Sequence, residues 1–158
     1  TVRKNKSGIV VKGLHDLAVR FSRCCNPVPG DEIVGFVTRG RGVSIHRTDC
    51  INVINLPEDE RGRLIDAEWQ VAENPTSTEQ YSTEIQIFAN NRIGLFADIS
   101  KVFTEKQIDI TSMNVRTSKQ GRATIIMTFD IHGTEELNRI TDKIRQIDGV
   151  LDIQRTTG

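Results

Sequence analysis

A chain of 158 residues, 37% hydrophobic and 27% charged, reads as an ordinary soluble globular protein with room for one medium domain or two small ones. No apolar run approaches the roughly 18 residues a membrane-spanning helix needs, and the polar opening TVRKNK is no secretory signal. The net charge of zero conceals a division: residues 1–50 hold nine Lys and Arg against four Asp and Glu, and residues 51–158 hold twelve against seventeen, so only the first part suits a polyanion. Three cysteines, an odd number all within residues 24–50, make no disulfide framework and point to a reducing cytoplasm. A start on Thr1 rather than methionine reads as a fragment or a processed product.

In chain order, residues 14–21 (LHDLAVRF) predict a short helix. Residues 32–39 (EIVGFVTR), rich in β-branched and aromatic side chains, predict a strand. A second strand over 42–46 (GVSIH) follows the GRG turn, whose glycines tolerate positive φ in a tight hairpin. Residues 50–56 (CINVINL) predict another short helix with Asp49 as its N-cap. A third strand over 63–71 (RLIDAEWQV) carries Trp69, its largest core candidate. Residues 1–72 therefore read as a small mixed α/β cysteine domain. Residues 73–81 are polar, contain Pro75, lack apolar periodicity, and read as a linker.

Beyond the linker the pattern sharpens. Residues 82–89 alternate polar and apolar as a half-buried strand does. Residues 94–106 place Leu95, Ile99, Val102 and Phe103 on one helical face. Residues 108–118 and 122–132 predict two strands joined by a turn. Residues 134–147 predict an amphipathic helix with Leu137, Ile140, Ile144 and Ile147 inward and with Glu135 and Glu136 in its first turn. Gly149 ends that helix before a last strand over 150–156. The order βαββαβ is the ferredoxin-like, split-βαβ arrangement, which makes residues 82–158 a second domain and the whole chain α+β. That fold hosts many functions and decides none.

The stretch NRIGL at 91–95 resembles the strand-to-helix turn of ACT domains, the small-molecule sensing modules of amino-acid metabolism. Gly94 lets the backbone approach a ligand, and the helix N-terminus offers N–H groups to a carboxylate. The resemblance implies a ligand held between paired ACT domains. Asn91, Ile93, Gly94 and Leu95 would come from the turn, and Asp109, Ile110 and Asn114 from a neighbour's facing strand. The family often has proline where this chain has Ile93. Apolar Ile93, Leu95 and Ile110 favour an aliphatic ligand, so the expectation is a branched-chain amino acid and an ACT-mediated homodimer.

The segment CCNPVPGDEIVGFVTRGRGVSIHRTDC at 24–50 resembles the conserved-cysteine region of long Rel/SpoT-type enzymes, which make and hydrolyse the alarmone (p)ppGpp of the bacterial stringent response. In that family this region, called zinc-finger-like or ribosome-intersubunit, immediately precedes a C-terminal ACT domain, the order seen here. The resemblance implies a non-enzymatic regulatory fragment of a cytoplasmic GTP pyrophosphokinase, separated from its two catalytic domains. Consistent with this, the chain has no His-Asp hydrolase signature and no P-loop. The alternative is the amino-acid-binding regulatory tail of an amino-acid biosynthetic enzyme.

Three readings compete for the cysteine segment. As a zinc site, its ligands are Cys24, Cys25, His46 and Cys50. The three-residue gap between His46 and Cys50 suits a metal, while the adjacent cysteines depart from the usual two to four intervening residues. Otherwise the thiols pack as small hydrophobes and His46 faces solvent. As a catalytic thiol, Cys50 is disfavoured by neighbouring Asp49, whose charge raises a thiol's pKa. As a polyanion surface, Arg39, Arg41, His46 and Arg47 cluster about a glycine hairpin, supported by Arg20 and Arg23, and guanidinium forks pair with phosphates. The family parallel names ribosomal RNA as the polyanion, so the expectation is RNA contact through these four residues with zinc as an option.

Overall fold

Five short strands build the first half of the protein. They are β1 (Ile9–Val11), β2 (Val19–Phe21), β3 (Ile33–Thr38), β4 (Gly42–Arg47) and β5 (Leu64–Trp69), in one sheet ordered β1-β5-β3-β4-β2. The computed structural model describes residues 9–11, 18–40, 42–70 and 79–157, and the chain divides into two compact units, the second being Glu79–Thr156. All pairings in the first sheet are antiparallel except that of β2 with β4. The helix expected over 14–21 is not what forms at its C-terminal end. Val19–Phe21 is a strand, with Arg20 outward between two half-buried neighbours and in parallel register with Val43–Ile45. Residues 14–17 and 71–78, the latter including most of the linker expected over 73–81, lie outside the described residues, and Tyr81 at the end of that expected linker opens a strand instead.

The period of two sorts β4 between two faces. Val43 and Ile45 join Ile9, Val11 and Ala67 in one core, flanked by Phe21 stacked on Trp69 with ring centroids 5.5 Å apart. Trp69 also donates its indole N–H to the Asp31 carbonyl at 3.1 Å. A second, smaller cluster gathers Cys25, Cys50 and Val53 with Cys24, Val34 and Leu64. His46, paired in register with Val34, serves that smaller cluster. The short helix α1 (Ile51–Ile54) is capped by Cys50, not by Asp49 as the sequence suggests. Cys50 is extended and its carbonyl accepts from the amides of Val53 and Ile54, whereas the Asp49 carboxylate is taken by Arg47. A 3-10 helix, Glu58–Arg63, leads into β5.

The second unit runs β6 (Tyr81–Asn90), α2 (Leu95–Glu105), β7 (Ile110–Thr117), β8 (Arg122–Ile131), α3 (Thr134–Arg145) and β9 (Val150–Arg155). This is the expected βαββαβ order, in an antiparallel sheet ordered β7-β8-β6-β9. Ile85 and Ile87 of β6, Ile125, Met127 and Phe129 of β8, Ile99 and Phe103 of α2, and Ile140 and Ile144 of α3 are all buried. Each such side chain contributes about 1.5–3 kcal/mol by leaving water, and Phe103 meets Phe129 edge-to-face at 4.9 Å. β7 is an edge strand on which Met113 and Val115 stay 38% and 37% exposed. Among the described residues no helix is long and apolar enough to cross a membrane.

Candidate functional site

Three pieces of backbone converge on the cysteines. A turn after β2 carries Cys24 and Cys25, closed by the Asn26 amide donating to the Ser22 carbonyl at 3.0 Å. The end of β4 supplies His46, and the start of α1 supplies Cys50. One ligand atom from each of Cys24, Cys25, His46 and Cys50 lies within 4.8 Å of all the others. Cys24 Sγ stands 3.5 Å from Cys50 Sγ and 3.5 Å from His46 Nδ1, and Cys25 Sγ stands 3.9 Å from the same nitrogen. Zinc bonds of ~2.3 Å to sulfur and ~2.0 Å to nitrogen, in a tetrahedron, require ligand separations of roughly 3.5–3.8 Å. The four donors, three soft sulfurs and an imidazole, fit zinc in both number and spacing. The adjacent cysteines, awkward in sequence, both come near His46 Nδ1 from the turn after β2.

The imidazole is oriented from behind. His46 Nε2 lies 2.8 Å from Ser22 Oγ and 3.1 Å from Ser44 Oγ, which leaves Nδ1 aimed at the sulfurs. Burial lowers the His46 pKa, so the ring is neutral at pH 7 with a lone pair for a metal. Burial pushes the Cys25 and Cys50 thiols above the ordinary range. Cys24 is also pushed up by burial, but hydrogen bonds from Asn52, Cys50, Cys25 and Ser22 outweigh that and hold it below the ordinary value. Burial, not Asp49, is thus the chief brake on Cys50. The backbone amide of Arg47 donates to Cys25 Sγ at 3.3 Å, the kind of support a metal-bound thiolate uses.

The arginines separate into two groups. Arg39 is exposed at the hairpin, as are Arg20 and Arg23, while Arg41 lies outside the described residues. Arg47 corrects the sequence expectation of a displayed phosphate contact: its side chain is only 7% exposed. Its guanidinium pairs with Asp49 at 2.5 Å and donates to the Cys25 carbonyl at 3.3 Å, bracing the cysteine turn from inside. His46 likewise turns inward, both ring nitrogens occupied by the cluster.

In the second unit the turn after β6 is built around Gly94, which caps α2 at φ +83°. Asn91 and Ile93 are exposed, Ile93 at 99%, whereas Leu95 is wholly buried and belongs to the core rather than to a surface site. Arg92 ties the turn together through Asp98 (2.7 Å), the Asp148 carbonyl (2.8 Å) and the Ile93 carbonyl (3.1 Å), a clamp the sequence reading did not include. Asp109 and Ile110 are far from this turn in the same chain. Ile110 pairs with Phe129, which pairs with Thr83, and Thr83 sits seven residues along β6 from Asn90, or about 23 Å at the usual rise. Asn114, opposite Ile126 and hence Gln86, lies about 13 Å from that end by the same count.

Comparison with known proteins now bears on both units. Residues 9–70 match the RelA/SpoT RIS domain, and residues 77–155 match the ACT domain. The chain belongs to the RelA/SpoT family. It is similar to a GTP pyrophosphokinase of Streptomyces coelicolor, with 40% identity over 150 residues, covering 95% of this chain and 17% of that protein. A GTP pyrophosphokinase of Escherichia coli is 36% identical over 156 residues, covering 98% and 20% respectively. The chain therefore spans about a fifth of the length of the curated relatives it matches. Among solved structures, the ACT domain from the GTP pyrophosphokinase of Chlorobium tepidum matches 49% of this chain and 99% of its own, with 22% identity and a TM-score of 0.45.

Proposed function

We propose that this chain is the regulatory RIS–ACT portion of a GTP pyrophosphokinase, contributing no catalytic residue itself and controlling the synthesis and hydrolysis of a guanosine alarmone by catalytic domains elsewhere in its parent protein. The observation that carries this reading is the match of nearly the whole chain to GTP pyrophosphokinases across two domains in the same order. In this reading Cys24, Cys25, His46 and Cys50 hold a structural zinc ion that pins the turn after β2 to β4 and α1. Bound there, zinc supplies crosslinking rather than chemistry, since four protein ligands leave no open position. The clipped unit displays Arg20, Arg23 and Arg39 to the sugar-phosphate backbone of ribosomal RNA, a contact of shape and charge with little base reading.

The experiment is co-sedimentation of the chain with ribosomes across a salt series. Binding that weakens steeply with salt, and about tenfold at fixed salt in an Arg20→Glu/Arg39→Glu variant, supports the reading. Binding that is absent at low salt, or indifferent to both substitutions, overturns the RNA contact.

A second activity of the ACT unit rests on the register noted above. Asn91, Ile93 and Gly94 lie at one end of the sheet and Asp109 and Ile110 at the other, so only a second copy brings the two sets together. The half-exposed Met113 and Val115 on the unpaired edge of β7 supply apolar surface for that pairing. A homodimer through this edge would bind an aliphatic amino acid with its carboxylate on the α2 amides near Gly94.

A further inference from the structure

The three thiols hold more chemistry than a metal needs. Cys24 Sγ and Cys50 Sγ are 3.5 Å apart, and a disulfide of ~2.05 Å is reached by a small approach of the two sulfurs. Cys24 is half-buried, open to a small oxidant, and Cys50 is wholly buried behind it. Cys25 lies within 4.8 Å of both sulfurs but is engaged by Arg47, whose amide donates to its sulfur at 3.3 Å and whose guanidinium donates to its carbonyl at 3.3 Å. A bond between the adjacent Cys24 and Cys25 would also have to twist the peptide joining them away from its planar trans form. Cys24 and Cys50, by contrast, come from separate segments 26 residues apart.

We propose that Cys24 and Cys50 are a peroxide-sensitive thiol pair, closing a reversible disulfide that dismantles the metal site. The Cys24 sulfur attacks one oxygen of a hydroperoxide, breaking the O–O bond and giving a sulfenic acid and water (or an alcohol from an alkyl hydroperoxide). The Cys50 sulfur then attacks that sulfenic sulfur, forming the S–S bond and releasing the hydroxyl as a second water. Both sulfurs are oxidised by one electron each, the peroxide takes up the two electrons, and the two thiol protons leave in the water. The disulfide removes two of four ligands, and Cys25 with His46 alone are too few to keep a structural zinc ion. Cys50 is also the N-cap of α1 and Cys24 lies in the turn after β2, so the oxidised site exchanges a four-point clip for a single tie. This inference rests on the metal reading only for its consequence, and its covalent step stands without it.

The experiment treats the chain, zinc-loaded and metal-free, with hydrogen peroxide, blocks remaining thiols with N-ethylmaleimide, and maps tryptic peptides by mass spectrometry. The expected product links residues 24–39 to residues 48–61, with Cys25 carrying the maleimide. Zinc is released one-for-one with the disulfide, and dithiothreitol added in place of the maleimide step restores three reactive thiols. Cys24→Ser and Cys50→Ser abolish the linked peptide, and Cys25→Ser keeps it. Three alkylated thiols after peroxide, a link through Cys25, links only between chains, or Cys24 ending as a sulfinic acid would each overturn the proposal. A disulfide formed in a chain that never takes up zinc overturns the metal reading and leaves the thiol pair standing. Zinc uptake with no disulfide does the reverse.

Discussion

At His46 the two ring nitrogens face different chemistry, and that division decides what the residue can do. Nε2 meets two hydroxyls, Ser22 Oγ and Ser44 Oγ, while Nδ1 meets two sulfurs. A neutral imidazole has one N–H and one lone pair, so holding the proton at Nε2 fixes the lone pair at Nδ1. Replacing Ser22 and Ser44 together by alanine is expected to weaken zinc binding by about 10–100-fold in a chelator competition, with the metal-free chain folding as before. Unchanged affinity would show that the hydroxyls do not set the tautomer. Arg47 illustrates the converse: its residue type suggested a phosphate contact, but Asp49 two positions on and the Cys25 carbonyl draw it inside. Charge type is legible in a sequence; the direction a side chain takes is set by neighbours that only the fold supplies.

Among the elements, the β3–β4 hairpin shows two glycines with the same sign of φ and different reasons for it. Gly42, at φ +91°, sits where β2 joins β4, and a Cβ there would come within 2.1 Å of the Ala18 carbonyl oxygen, which itself accepts from Val43 at 2.8 Å. Gly40, at φ +73°, has nothing within 4 Å of the same position. In urea unfolding, Gly40→Ala is expected to cost about 1–2 kcal/mol, the left-handed backbone strain alone. Gly42→Ala adds a clash with fixed backbone and is expected to cost about 3 kcal/mol or more. Equal losses would mean that β2 is not held against β4 in solution. The glycines were legible as a turn, but the partner that makes Gly42 irreplaceable was not, because β2 reads locally as helix. Val19 and Phe21 form a strand of three residues, too short for a period of two to stand out, and its parallel pairing with β4 is a tertiary choice. In the second unit strands of six to ten residues and helices of eleven and twelve leave full periods in the sequence, and each expected element forms there, though α3 stops at Arg145, short of Ile147. The four-ligand cluster was legible as residue types and in the His46–Cys50 gap, while the adjacent Cys24 and Cys25 spoke against it. Ser22 went unnoticed because nothing local links it to His46, though Ser44, two positions away on the same strand face, was a signal available to the eye.

On the scale of the whole molecule, the two units are stabilised by different means. The second has a core of long aliphatic and aromatic side chains shared by a sheet and two helices. The first has short strands, and among the described residues the cluster around its cysteines offers Val53, Val34 and Leu64 as carbon-rich partners. A domain of that size buries too little apolar surface to be stable by a wide margin, and a metal held by Cys24, Cys25, His46 and Cys50 would supply what the core lacks. A ligand that binds only the folded state adds RT ln(1 + [L]/Kd), about 2.7 kcal/mol at a hundredfold excess over Kd. For a unit of this length each kcal/mol moves the melting midpoint by roughly 4–8 °C. Stripping zinc with a chelator is therefore expected to lower the midpoint of the first unit by roughly 10–20 °C and leave that of the second in place. Calorimetry records both transitions, and fluorescence of Trp69, the chain's single tryptophan, identifies which of them belongs to the first unit. A chelator that moves neither transition would show that the three sulfurs and His46 pack as a small core without a metal. One that moves both together would show that the units unfold as a single cooperative body, whatever holds the cysteines.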